Sequence, residues 1–311
     1  MSAGWKSCFI FRWFYRFMAF IGILVTLGIT AGIFLGEKNK GNVAHIKLKG
    51  SIVTDDPKEF FDDWNTVRSG KVVKLLKEIA KNKKIKGILL EINSPGGTPV
   101  ASAEIARAIR ECNLPTAAWI QEIGTSGAYW IASASGHIVC HPLSITGSIG
   151  VLANSFGFED LLKQFNINYR RQVAGDLKDI GDPFRSQTDE EKAYIQSVLD
   201  QIHAEFVQNV AQNRRLNPQE TKQVSSGVFY TGKEAIKYKL ADELGGKEEA
   251  IKWLNSVIKE PVVLEELRCT GSFMDAFLSE VTGMINQFAL HIGKGISHFF
   301  VSQNNTGVRL S

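Results

Sequence analysis

Residues 116–133 read TAAWIQEIGTSGAYWIAS, and this stretch decides the fold that we predict for the chain. Its first part, residues 116–121, is a short apolar run that predicts a buried strand. Small residues follow, and a second apolar run from Ser126 to about Ser133 predicts a helix. A strand, a tight turn and a helix in this order form the repeating unit of an α/β layer structure.

Strand and helix signals continue to alternate on both sides of that unit. The sequence predicts strands at 43–49 and 87–92, a helix at 72–81, and a helix after Thr98 with Pro99 at its first position. Two further strands are predicted at 137–141 and 149–152. The later chain is mostly helical, with helix starts at 188–191, 217–220 and 231–234, the first of them a capping box whose helix reaches about Arg214. The fold class is therefore α/β.

Composition narrows the function classes. The chain has 311 residues, of which 44% are hydrophobic and 22% charged, so a core of normal size can be buried. A diffuse net charge of +4 gives no reason to expect a nucleic-acid partner. The four cysteines show no metal-binding spacing. The cysteines by themselves decide neither the compartment nor a cofactor, and we predict no cofactor and no metal.

The N-terminal region predicts a membrane anchor. Residues 17–36 carry no charge over a length that spans a bilayer as a helix. Trp13 and Tyr15 lie on the near flank, where interfacial aromatic residues are common. The run is longer than the core of a typical signal peptide and lacks a good cleavage site. We predict a short segment at 1–16, an uncleaved anchor at 17–36, a polar linker at 37–42, a main domain at 43–260 and an amphipathic extension at 261–311.

Two features leave alternatives open. Basic residues flank the anchor on both sides, so the charge count does not determine its orientation. In the extension, an apolar stripe at helical spacing favours a packing or oligomer face, with contact to a membrane surface as the alternative. The stripe consists of Phe277, Val281, Met284, Ile285, Phe288 and Ile292.

Ser126 and Lys178 are the candidate catalytic pair. A serine at a helix start lies beside unpaired N–H groups that favour a developing oxyanion. A serine hydroxyl needs a base to take its proton, and a desolvated lysine can be that base. Ser148 offers a hydroxyl that could orient the lysine. The amides of Gly97 and Gly127 are the natural donors of an oxyanion hole.

Each residue also has an ordinary interpretation when taken alone. A serine at a helix start is usually a cap, a lysine is usually exposed, and a Pro-Gly-Gly loop is usually a turn. Histidine is a rival base, because spacing alone does not exclude a Ser-His-Asp triad. Of the six histidines, His141 at a strand end is the best placed, although a structural role is more common there.

Taken together, the motifs resemble those of the signal peptide peptidase A family, also called the protease IV family, of membrane-bound serine–lysine peptidases. The resemblance covers about residues 43–260 and is specific in order and spacing. The matching stretches are 91–97 (EINSPGG), 126–132 (SGAYWIA), 143–150 (LSITGSIG), 175–179 (GDLKD), 232–235 (GKEA) and 242–245 (DELG).

The resemblance implies a fold of the Clp protease and crotonase type, built of stacked β-β-α units. It implies that Ser126 is the nucleophile, Lys178 the general base and Ser148 the residue that positions the lysine, with Gly97 and Gly127 as the oxyanion hole. The implied substrates are cleaved signal peptides and similar hydrophobic segments. The implied place is the bacterial inner membrane, with the catalytic domain on the extracytoplasmic side.

The resemblance also implies an oligomer. Double-length relatives take the lysine from one half and the serine from the other, whereas this chain has one half. The expected partners are therefore other copies of the chain in a ring, together with the lipid bilayer and the peptide substrates. Two alternatives remain: a crotonase-like acyl-CoA enzyme, which would share the glycine loop, and a catalytically silent membrane scaffold.

Overall fold

The computed structural model describes residues 41–54 and 66–267. The predicted anchor at 17–36, most of the linker at 37–42 and the apolar stripe from Phe277 onward lie outside the described residues, so the domain division and the anchor stay predictions. Within the described ranges, no helix is both long enough and apolar enough to cross a bilayer.

The described residues form ten strands and eight helices. The strands are β1 (Val43–Lys49), β2 (Ser51–Val53), β3 (Thr66–Arg68), β4 (Gly87–Ser94), β5 (Thr116–Thr125), β6 (His137–Cys140), β7 (Ile145–Gly147), β8 (Phe229–Thr231), β9 (Glu243–Leu244) and β10 (Leu264–Leu267). The helices are α1 (Ser69–Lys81), α2 (Pro99–Glu111), α3 (Gly127–Ser133), α4 (Glu159–Gln164), α5 (Asp189–Arg214), α6 (Pro218–Val224), α7 (Gly232–Lys237) and α8 (Lys247–Ile258).

A largely parallel sheet organises the molecule. Its strands follow the order β10-β1-β4-β5-β6-β9, and every pair along that path is parallel. β7 extends the sheet beside the end of β5, and β8 pairs with β7 in the antiparallel sense. The predicted α/β class is confirmed. The narrower assignment to a Clp protease and crotonase type stays a prediction.

Helices cover both faces of this sheet, which explains why its central strands are almost continuously apolar. On one face, α1, α2 and α3 pack over Ile46, Leu90 and Ile120 in the larger core cluster. On the other face, Ala250 and Leu254 of α8 pack against a smaller cluster that includes Leu89. The carboxyl end of β5 emerges between these layers, and the Ser126 turn follows it directly.

Most predicted elements are confirmed, some with different ends. The strand at 43–49 is confirmed as β1, the helix at 72–81 begins three residues earlier, at Ser69, and the strand at 116–121 continues to Thr125 because its last residues pair with β7. Thr98 caps α2 with Pro99 in the first turn, but its side chain makes no capping hydrogen bond.

Capping signals located the later helices well. Capping boxes open α5, α6 and α7 at Thr188, Asn217 and Thr231. In each of them the cap side chain accepts from the backbone N–H three residues later, and the glutamate at that position accepts from the cap N–H. These interactions lie within four residues, so they are readable from sequence.

The strand predicted at 149–152 is wrong. The strand in this region is β7, Ile145–Gly147, and the next residue, Ser148, has a φ of 52° that turns the chain away from the sheet. Ile149 is buried, but Leu152 is 76% exposed and belongs to no strand. The apolar residues that suggested a strand instead lie beside a cavity.

Candidate active site

Ser126 occupies a strained turn between β5 and α3. Its φ of 53° and ψ of −126° are unusual for a residue with a side chain. Its N–H donates to the carbonyl oxygen of Gly147 at 2.8 Å, and its own carbonyl oxygen accepts from the N–H of Trp130 at 3.0 Å. A sharp strand-to-helix turn of this kind presents a serine hydroxyl at the end of a sheet.

The two predicted oxyanion donors are neighbours. The Ile52 N–H donates to the Gly96 carbonyl at 2.9 Å, and the Thr98 N–H donates to the Ile52 carbonyl at 2.8 Å, which holds the glycine loop in place. A Cβ atom built on Gly127 would lie 3.3 Å from the Gly97 nitrogen. Neither the Gly97 N–H nor the Gly127 N–H has an acceptor among the described residues. Two free amides beside a serine suit an oxyanion.

Ser148 lies next to the same turn. It follows Gly147, the residue that accepts from Ser126, and its N–H donates to the carbonyl of Val228 at 2.9 Å. It is half-buried and faces the same cavity as Ser126. Ser148 and Ser126 therefore line one cavity, and the predicted role of Ser148 in positioning the lysine stays a prediction.

A cavity of about 440 Å³ opens in front of Ser126. Among the described residues its lining is mostly apolar and contains neither lysine nor histidine: Pro95, Gly97, Pro99, Ser126, Gly127, Trp130, Ser148, Gly150, Val151, Leu152, Phe206 and Gly227. Trp130 and Phe206 stack with ring centroids 4.5 Å apart and are almost fully buried. The cavity can accept an apolar side chain close to the serine.

Sequence reasoning missed this aromatic stack. Phe206 lies in the middle of α5, far from Ser126 in sequence, and no local pattern linked it to the site. Trp130 belongs to the apolar run after Ser126, and that run was interpreted only as a helix. The signal that Trp130 lines the cavity was its position one helical turn after Ser126, on the same side of α3.

Lys178 is not part of this cavity. It lies on an exposed turn, where its N–H donates to the carbonyl of Gly175 at 3.1 Å. The turn belongs to residues 151–188, of which most are exposed and only α4 is helical. Large apolar side chains in this segment also face outward, including Phe156, which is 81% exposed. Within one copy, the structure gathers Ser126, Ser148, Gly97 and Gly127 but not Lys178.

The four described histidines have structural partners. His45 bonds Glu91 at 2.9 Å, and His137 bonds Glu243 at 3.2 Å. His141 Nδ1 accepts from the Leu143 N–H at 3.2 Å, and His203 contacts the carbonyl of Ile149 at 3.2 Å. None of these four lines the cavity. Within the described part of the chain, the geometry gives no support to a histidine base.

Comparisons with known proteins indicate a peptidase. The sequence profile described as Peptidase family S49 matches residues 108–259, a range that contains Ser126, Ser148 and Lys178. A protein of Methanocaldococcus jannaschii, provisionally named a protease, is 36% identical over 197 residues, which is 62% of this chain and 63% of that protein.

Two bacterial relatives extend the comparison. A protein of Enterococcus faecium, provisionally named signal peptide peptidase SppA, is 32% identical over 208 residues, or 65% of this chain and 60% of that protein. A Synechocystis protein, provisionally named a protease, is 32% identical over 213 residues, or 68% of this chain and 72% of that protein. The match thus spans less than two thirds of the first two relatives.

Proposed function

Because this chain belongs to peptidase family S49, as a peptidase of the SppA type, we propose that it is a serine endopeptidase with Ser126 as nucleophile and Lys178 as general base. One observation carries the proposal: a strained serine at the end of a strand faces a largely apolar cavity, beside two backbone amides that have no acceptor among the described residues. This combination supplies a nucleophile, an oxyanion hole and a place for a substrate side chain.

The chemistry follows from these positions. As the Ser126 hydroxyl attacks a peptide carbonyl, the neutral amine of Lys178 takes the hydroxyl proton. The amides of Gly97 and Gly127 stabilise the oxyanion of the tetrahedral intermediate. The intermediate collapses, the lysine ammonium gives its proton to the leaving amine, and an acyl-enzyme forms. Water then attacks the ester with Lys178 again as base, which releases the acid and restores Ser126.

The lysine comes from a neighbouring copy in this proposal. Lys178 lies outside the cavity of its own chain, on a segment whose apolar side chains are exposed. A head-to-tail interface that closes into a ring would bury those side chains and place each Lys178 at the next copy's Ser126. Ser148 would then orient the incoming ammonium through its hydroxyl.

The substrates in this proposal are extended, apolar peptide segments such as cleaved signal peptides. Among the residues that the structure describes, the cavity lining carries no charged side chain, so a charged residue at the cleavage position would lose its hydration without gaining a partner there. The name of the Enterococcus relative refers to signal peptides, which supports the same class. We place the enzyme at the bacterial inner membrane, anchored by residues 17–36, with its catalytic domain on the extracytoplasmic side.

Labelling of the full chain by a fluorophosphonate probe tests the nucleophile and the base. We expect Ser126→Ala to abolish labelling and Lys178→Ala to slow it by about 10² to 10⁴, the range of a general base. Ser197→Ala and Lys252→Ala change exposed side chains on α5 and α8 and are the matched controls. Normal labelling of Ser126→Ala would remove Ser126 from the mechanism, and normal labelling of Lys178→Ala would remove the lysine base.

A further inference from the structure

One arginine joins the turn that carries Lys178 to the start of α5. Arg185 Nε donates to Asp179 Oδ2 at 3.0 Å, and its Nη2 donates to the Asp179 carbonyl at 3.1 Å. Its Nη1 donates to Glu191 Oε2 at 2.9 Å, and Nη2 also donates to Glu191 Oε1. Asp179 directly follows Lys178, so the guanidinium holds the residue next to the proposed base.

Glu191, to which Arg185 connects Asp179, is held firmly in place. Glu191 is 2% exposed and lies in the first turn of α5. Its Oε2 also accepts from the Thr188 N–H at 2.8 Å in the capping box. The hydrogen bonds from Arg185 and the backbone lower the pKa of Glu191 to about 2, so the carboxylate remains charged at neutral pH. A charged pair with two parallel hydrogen bonds has strong directional preference.

Arg171 also binds Asp179 and provides a comparison for the connection that Arg185 makes to Glu191. It binds Asp179 through Nε to Oδ2 and through Nη2 to Oδ1 at 2.7 Å, but its side chain is 40% exposed, against 20% for that of Arg185. Within the described ranges, Arg171 has no hydrogen bond or ion pair with Glu191. Arg171 therefore adds charge to Asp179 from the solvent side without connecting the turn to a helix.

We propose that Arg185 is a positioning residue for the reaction, which fixes the Lys178 turn to α5 through Asp179 and Glu191. This inference rests on the proposed role of Lys178 as base. The surrounding segment is largely exposed and contributes little to the core, so the turn needs another connection to a rigid element. A displacement of a catalytic group by about 1 Å can cost on the order of 10² in rate.

The test compares Arg185→Met, Arg185→Lys and the matched control Arg171→Met in the full-length protein. Each variant is assayed for kcat and KM on an apolar peptide, for the rate of fluorophosphonate labelling of Ser126, and for its Tm. Lys178→Ala is assayed in parallel to test the role on which the inference depends. The fluorophosphonate is small and uses little of the peptide-binding surface. Its labelling rate therefore measures how well the base activates Ser126.

We expect Arg185→Met to lower kcat and the labelling rate by about 10- to 100-fold, with KM changed by less than about twofold. Arg185→Lys should recover part of the loss, because an ammonium keeps the charge but not the paired geometry. For Arg171→Met, we expect kcat, KM and the labelling rate to stay within about twofold of the parent values.

Two results would overturn the inference alone. If Arg185→Met and Arg171→Met have equal kcat values and labelling rates while Lys178→Ala is inactive, Lys178 remains the base and Arg185 has no positioning role. A loss in Arg185→Met that appears in KM and Tm rather than in labelling would mean a purely structural ion pair. Full activity of Lys178→Ala would instead contradict the proposed function, and the positioning role with it.

Discussion

The N–H of Ser126 donates to the carbonyl oxygen of Gly147 at 2.8 Å, and this bond joins the end of β5 to the end of β7. Both chain segments turn sharply at that point, since Ser126 has a φ of 53° and the next residue after Gly147, Ser148, has a φ of 52°. The bond therefore brings two hydroxyls to one cavity. The strained backbone of Ser126 persists because the pairing of β5 with β7 fixes the residues on both sides of the turn.

Gly127→Ala should damage both stability and catalysis. The new Cβ would lie 2.2 Å from the hydroxyl oxygen of the fully buried Ser102 and 3.1 Å from its Cβ, so rotation of the hydroxyl alone does not relieve the contact and the start of α3 must shift. We expect a fall of about 1–3 kcal/mol in the free energy of unfolding. Because the shift moves one oxyanion donor, we expect kcat to fall by about 10² to 10³.

The control for that change is Gly157→Ala, where a Cβ meets no atom within 4 Å. Urea unfolding and steady-state kinetics measure the two effects. Parent-like kcat in Gly127→Ala would mean that this amide does not contribute to the oxyanion hole.

Phe206→Ala should destabilise the protein and widen the cavity. Phe206 is 2% exposed and stacks on Trp130, and large-to-small changes of buried aromatic residues cost about 3–5 kcal/mol. Cleavage of a peptide library should shift toward larger apolar residues at the cleavage position. An unchanged preference would mean that this cavity does not receive the substrate side chain.

Mixed assemblies should reveal whether the catalytic pair is shared. Ser126→Ala and Lys178→Ala should each be inactive, yet a mixture that is unfolded and reassembled should recover part of the activity. The reason is that some interfaces would then pair an intact serine with an intact lysine. Peptide cleavage and sedimentation measure the outcome. Inactive mixtures at all ratios, together with monomeric variants, would require both groups to act within one chain.

Stability should fall below neutral pH because of His45. Burial, followed by the charge of Lys247, lowers the pKa of this imidazole, although Glu91 beside it opposes the shift. The unfolded chain therefore binds a proton more readily than the folded chain, so the contribution is complete above pH of about 6.5 and is lost as pH falls toward the folded pKa. The charged groups around the ring are Lys47, Glu91 and Lys247.

Urea unfolding of the parent and His45→Gln at pH 7.5 and 5.5 tests this. We expect the parent to lose more free energy of unfolding than the variant between the two values. Glu91 stays ionised in this window: burial raises its pKa, but the hydrogen bonds and charges of Lys49 and His45 outweigh burial and hold the pKa below its usual range. Equal losses in the two proteins would show that His45 is not the group responsible.

Short-range signals in the sequence determined many of the elements. The strand Val43–Lys49 and the helix Asp189–Arg214 have the ends that alternation and a capping box predict. The turn at Ser126 was also readable, because a serine between small residues separates two apolar runs. The family resemblance extended this to candidate site residues. Such signals depend on hydrogen bonds and side-chain periodicity within a few residues, which any folded form of the chain retains.

Only the tertiary structure decided what surrounds the serine. The proximity of Gly97 to Gly127, the stack of Trp130 on Phe206, and the loss of the predicted strand at 149–152 all depend on partners distant in the chain. The placement of Lys178 outside its own chain's cavity is of the same kind. Which distant segments meet is determined by the summed packing of the whole sheet and its helices, and no local pattern contains that sum.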